Sequence, residues 1–105
     1  MLYLTENTKI LLSILPEDFR KQIDGLVSVC KNQLNQQPNS GTLFVFINKT
    51  KTMVRVLSYQ GNGYWLATKR LSKGCYTNWP SSTEKVHPLQ ASELSKIIKS
   101  VFETN

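Results

Sequence analysis

An α+β domain is what the sequence predicts, and three observations carry that reading. Two segments with apolar residues at helical spacing lie towards the ends, and three β-rich runs lie between them. The connections between those runs are short enough to demand hairpins. The expected order is β-α-β-β-β-α: an antiparallel three-stranded meander plus an N-terminal strand, with the two helices packed on one face of the sheet. A chain of 105 residues is the size of one domain, so residues 1–105 are read as a single unit. Apolar residues make up 40% and charged residues 19%, a balance that argues against disorder.

Each element follows from local signals. Lys9 to Leu15 is rich in Ile and Leu and stops at Pro16, which predicts a short buried strand. "PEDFRKQIDGLVSVCKNQL" then opens with Pro16 at a first helical position and Glu17 and Asp18 in a first turn, where the helix dipole favours negative charge. Phe19, Ile23, Leu26, Cys30 and Leu34 form one stripe, predicting a helix of about five turns. Gly25 is costly inside such a helix, so its expected use is the close approach of another element. "NQQPNSG" is a loop, after which "TLFVFI", "MVRVLSY" and "YWLATKRL" are the meander. A turn at Gly61 and Asn62 sets Tyr59 opposite Tyr64, Leu57 opposite Leu66 and Arg55 opposite Thr68. Alternation then puts Arg55 and Arg70 on one face and Lys69 with Trp65 on the other. "CYTNWPSSTEKVHP" reads as irregular, and "QASELSKIIKSVF" as a second amphipathic helix with Leu94, Ile97, Ile98, Val101 and Phe102 along one side.

Thirteen Lys and Arg against seven Asp and Glu leave a net charge of +6. The excess is concentrated, because no acid occurs between Asp24 and Glu84, while Lys31, Lys49, Lys51, Arg55, Lys69, Arg70 and Lys73 all fall there. Such a field attracts phosphate backbones through long-range attraction and counterion release. Within it, Lys49, Lys51, Arg55, Lys69, Arg70 and Lys73 are the candidate phosphate contacts, with Thr50 and Thr52 interleaved. The competing reading is a solvated basic surface. Tyr64 and Trp65 are candidates for base stacking, although aromatics in a half-buried sheet more often fill the core.

Reactive groups are scarce. His87 is single and precedes Pro88, while Cys30 falls on the apolar stripe of the first helix. Asp18 and Asp24, six residues apart on one helix, would be separated by about 120° around its axis and could not easily share a metal. Neither a metal site nor a cofactor is expected, and the chain is read as having no catalytic activity of its own. Cys30 and Cys75 fit no disulfide framework, which with the absence of an evident export signal or an apolar run near the ~18 residues of a membrane span predicts a cytoplasmic protein.

Four ordered blocks go further: "DFRKQIDGL", "SGTLFVFINK", "GNGYWLATKRLSKG" and "WP". With them the chain resembles, over residues 9–98, the accessory second-open-reading-frame protein (TnpB) of the insertion sequence 66 family of bacterial transposable elements. Asp18, Arg20, Lys21, Gly25 and Leu26 match its first block and Phe44, Val45 and Phe46 its second. Gly63, Lys69, Arg70, Leu71 and Gly74, then Trp79 and Pro80, match the remainder. The resemblance implies a protein encoded beside a separate transposase, with element DNA and that transposase as possible partners. A protein-protein adaptor without nucleic acid contact is the alternative it leaves open. The chain departs from the family pattern at "INKTKT", where an arginine-rich turn is usual, at Gln60, where Asp is common, and at its tail, "SVFETN".

Overall fold

The computed structural model describes residue 5, residues 7–99 and the backbone of residues 101 and 102. The chain runs β1 (Ile10–Ser13), α1 (Ile23–Asn32), β2 (Leu43–Ile47), β3 (Met53–Gln60), β4 (Gly63–Arg70), β5 (Cys75–Tyr76), β6 (Val86–Leu89), α2 (Ala91–Lys99) and β7 (Val101–Phe102). Five strands make one mixed sheet in the order β4-β3-β2-β1-β6, and β5 and β7 pair separately. The fold is therefore α+β, with more strands than expected and a different arrangement of the first one. β1 runs parallel to β2, with Ile10 opposite Leu43 and Leu12 opposite Val45, and α1 makes the crossover that parallel pairing requires.

The two helices lie on opposite faces, not on one. Both parities of β1 ("ILLS") and β2 ("LFVFI") are apolar or small and every position is buried, as strands covered on both sides must be. Leu11, Phe44, Phe46 and Leu57 pack against Leu26, Val29 and Cys30 of α1. Ile10, Leu12, Leu43, Val45, Ile47 and Val54 pack with Leu94 and Ile97 of α2 and with Tyr76. Trp79, in the segment read as irregular, joins the second cluster and donates Nε1 to the Ser13 carbonyl at 3.0 Å. Just beyond it, β6 adds to the far edge of the sheet, with Leu11 opposite Pro88. Proline is tolerated there because an edge strand has one side whose backbone groups need no partner.

The hairpin has the expected register: Tyr59 opposite Tyr64, Leu57 opposite Leu66 and Arg55 opposite Thr68. Gly61 closes it at φ +66, a conformation that L side chains rarely adopt. Both helices are shorter than expected. α2 ends at Lys99, and the backbone of Val101 and Phe102 pairs with Tyr76 and Cys75 instead of continuing it. The side chains of Val101 and Phe102, assigned to the helical stripe, lie outside the described part, as does most of the "SVFETN" tail.

Candidate nucleic-acid interface

The loop before α1 explains why that helix starts at Ile23 and not at Pro16. The Asp18 carboxylate accepts from the Arg20 backbone N–H at 2.9 Å, and Lys21 N–H donates to the Asp18 carbonyl at 3.1 Å, which closes a turn in place of a first helical turn. The carbonyls of Phe19 and Lys21, needed by a helix, are taken by Arg55 Nη1 at 2.9 and 2.8 Å. Arg55 also donates Nε to Thr68 Oγ1 at 2.8 Å, and its guanidinium lies 4.5 Å from the centre of the Phe19 ring. At 7% exposure, Arg55 is a clamp between β3 and the loop, with its Nε and Nη1 donors committed inwards. It thus differs from the other five cations expected to contact phosphate.

The same loop is electrically self-contained. Arg20 Nη2 meets Asp18 Oδ2 at 2.6 Å, and Lys21 Nζ meets Glu17 Oε1 at 2.9 Å. Hydrogen bonds from Arg20 hold the Asp18 carboxyl well below the usual carboxylate range, with a smaller contribution from the charge of nearby Lys49. Gly25 does not make room for another element: a Cβ there would stand 2.9 Å from Lys21 Cβ, so the glycine accommodates the chain's own loop folded back against the start of α1.

A second polar device, not singled out in the sequence, shapes the turn between β2 and β3. Asn48 Oδ1 accepts from the backbone of Thr52 at 2.9 Å and of Met53 at 3.0 Å, and its Nδ2 donates to the hydroxyls of Thr50 and Thr52, both at 3.1 Å. Those hydroxyls bond each other at 2.8 Å, so they support the turn from within. Lys51 N–H closes it onto the Asn48 carbonyl at 3.1 Å, with Lys51 at φ +59. An Asn ending a strand with Thr two and four residues later was the legible signal.

Three segments meet at this end of the sheet. Met53 lies opposite Arg70 and Val54 opposite Lys69, while Leu71 N–H donates to the Thr52 carbonyl at 2.9 Å. Gly74, at φ +75, turns the chain so that Tyr76 N–H reaches the Lys51 carbonyl at 2.8 Å, which holds the 71–74 loop, and Lys73 with it, against the turn. Lys49, Lys51, Lys69, Arg70 and Lys73 are all exposed, and none forms an ion pair among the described residues. Lys69 and Arg70 sit on opposite faces of β4, so the cations surround the end of the sheet. Beside them, a shallow cleft lined by Asp18, Phe19, Arg20, Asn48 and Lys49 brings the self-neutralised loop alongside the turn.

The remaining motif residues are structural where the structure describes them. Phe44 and Phe46 fill the core beneath α1, Leu71 and Trp79 pack on the other face, Gly63 starts β4 opposite Gln60, and Pro80 follows Trp79 half-buried. Tyr64 packs edge-on against Tyr59 with ring centres 4.9 Å apart, whereas Trp65 is 48% exposed. Burial pushes the Cys30 thiol up to about 12, so it stays protonated at neutral pH. Among the described residues, no three His, Cys, Asp or Glu side chains come together as a metal site, and no helix is long and apolar enough to cross a membrane.

Fold and surface define a small α+β protein with a basic end and a buried polar clamp. The IS66 Orf2-like protein family model matches residues 8–104. This chain belongs to that family, whose role is in the transposition of insertion sequences. Two uncharacterized proteins of Sinorhizobium fredii are similar to it. One, y4jC, is 32% identical over 79 residues, covering 75% of this chain and 68% of the relative. The other, y4hO, is 27% identical over 96 residues, covering 91% and 83%. No solved structure matches the chain.

Proposed function

We propose that this protein is a non-catalytic accessory factor in transposition that grips the phosphate backbone of element DNA with Lys49, Lys51, Lys69, Arg70 and Lys73. One observation carries the reading: five exposed cations without ion-pair partners among the described residues gather at one end of the sheet, where the adjacent carboxylates of Glu17 and Asp18 are already neutralised by Lys21 and Arg20. Arg55 is left out of the contact set because its guanidinium is spent on the Phe19 and Lys21 carbonyls.

The test is binding to labelled duplex carrying the element's terminal repeats, against scrambled duplex of equal length, over a series of salt concentrations. Five phosphate contacts correspond to a slope of log affinity on log salt of about −4.5, and the combined Lys49→Ala, Lys51→Ala and Lys73→Ala variant should flatten it by about 2.7. Failure to bind either duplex at low salt rejects the reading.

A second reading, an adaptor that docks the transposase without touching DNA, is favoured by Leu15, which is 70% exposed on the rim of a groove lined also by Pro16 and Leu34. Under it, the transposase would co-purify with the wild-type chain, and Leu15→Asp would abolish that capture while leaving the fold intact.

A further inference from the structure

β4 ends the five-stranded sheet, and its C-terminal half, Ala67 to Arg70, is exposed on both faces. It contains no proline, and it pairs with β3 in unbroken register from Gly63 to Arg70, so no bulge or kink turns this edge away from a second strand. The direction of its unpaired backbone groups can be assigned. Leu71 N–H donates inwards to Thr52, so the odd-numbered residues of β4 face β3. Tyr64, Leu66, Thr68 and Arg70 therefore turn their N–H and C=O groups to the open side. Trp65 is one of two large apolar side chains that are exposed among the described residues, and it sits on this strand.

We propose that two copies of this chain associate through β4 in an antiparallel strand pair centred on Ala67, which makes one continuous sheet across the dimer. A two-fold axis perpendicular to the sheet keeps the α1 layers on one side and the α2 layers on the other, so facing residues must share parity. Of the registers this allows, the one centred on Ala67 sets Arg70 of each copy opposite Tyr64 of the other and Lys69 opposite Trp65. Both cations then lie against aromatic rings, two symmetry-related pairs on each face. Shifting the centre to Leu66 sets Lys69 against Gly63 and Trp65 against Ala67. A shift to Lys69 makes the two lysines meet directly. Of these three registers, the one centred on Ala67 is the one that sets both cations against aromatic rings. A second copy fits this edge better than an acidic strand does, because an acidic strand leaves Trp65 without an assigned partner. The inference shares Lys69 and Arg70 with the phosphate reading, but Lys49, Lys51 and Lys73 lie outside β4, so the two can be tested separately.

Cross-linking tests it, in a Cys75→Ser background. At the two-fold, two facing residues of a non-hydrogen-bonded pair have Cα atoms about 4.5 Å apart, within the range a disulfide spans. Ala67→Cys should form a disulfide-linked dimer under mild oxidation about tenfold faster than Asn62→Cys, which lies on the exposed hairpin turn and reports random collision. Adding Trp65→Lys, which sets two ammonium groups face to face, should reduce the rate to the collision control. Adding Lys69→Glu to that variant should restore it. The Lys49→Ala, Lys51→Ala, Lys73→Ala variant should cross-link like the parent. Equal rates for Ala67→Cys and Asn62→Cys, or cross-linking indifferent to Trp65→Lys, would overturn the proposal.

Discussion

Two charged regions meet at one end of this sheet and behave oppositely. In residues 17–21 every described charge has a partner, and Arg55 from β3 secures the loop through two of its carbonyls. In the turn after β2 and the end of β4, five cations stand exposed without ion pairs among the described residues. Arg55 and Arg70 show the contrast within one hairpin face: the first reaches carbonyls and is buried, and the second has none assigned to it and is exposed. Arg20 and Lys21 find their partners two and four residues back, but no sequence neighbour decides the state of Arg55. What decides it is whether an acceptor lies within its reach after folding.

Breaking the clamp should have the largest effect. Arg55→Ala strands the Phe19 and Lys21 carbonyls and the Thr68 hydroxyl and empties the site over Phe19, for a loss of about 3 kcal/mol in urea unfolding. Asn48→Ala should cost about 1.5 kcal/mol, because two backbone N–H groups lose their acceptor, and Asn48→Asp should recover part of it by keeping those bonds. Gly25→Ala sets helix propensity, worth about 1 kcal/mol, against a contact of 2.9 Å with Lys21 Cβ. Since Arg55 and Glu17 hold Lys21 at both its carbonyl and its ammonium, the clash should win, with a net loss of about 1 kcal/mol.

Lys51→Gly sharpens the comparison by separating stability from binding. It relieves a left-handed conformation and should raise stability by up to about 1 kcal/mol, while it lowers the salt slope of DNA binding by about 0.9. The smallest effect concerns acid. Because the Asp18 pKa is depressed in the fold, its contribution is fully present above its ordinary value of 3.8 and is lost as pH falls from there towards the folded value. Asp18→Asn should accordingly flatten the stability profile below about pH 4, as followed by thermal unfolding across that range.

Local signals were reliable where a turn or a periodic stripe spoke for itself. The Gly61–Asn62 turn yielded every pairing of the hairpin, and the stripe through Ile23, Leu26 and Cys30 is the face of α1 that packs on the sheet. β6 was missed because "VHPL" is four residues long and contains a proline, so it becomes a strand only where β1 offers an edge. The parallel pairing of β1 with β2 was hidden for a different reason. A strand-helix-strand order invites a crossover, but the wholly buried character of both strands was needed to show that each face must carry its own helix. At the candidate site, the cations were legible as a cluster in sequence, whereas the commitment of Arg55 was not, since its acceptors lie 34 and 36 residues away.

What the sequence determined by itself was the inventory: α+β class, the hairpin register, two amphipathic helices, an uninterrupted basic middle and a set of family blocks. These depend on periodicity, turn chemistry and charge order, which act over a few residues. Tertiary structure alone decided which helix covers which face and that Arg55 is buried while five other cations remain exposed. Those outcomes turn on contacts between distant segments, because a guanidinium or a strand edge settles its partners only when the chain has brought them within hydrogen-bonding distance.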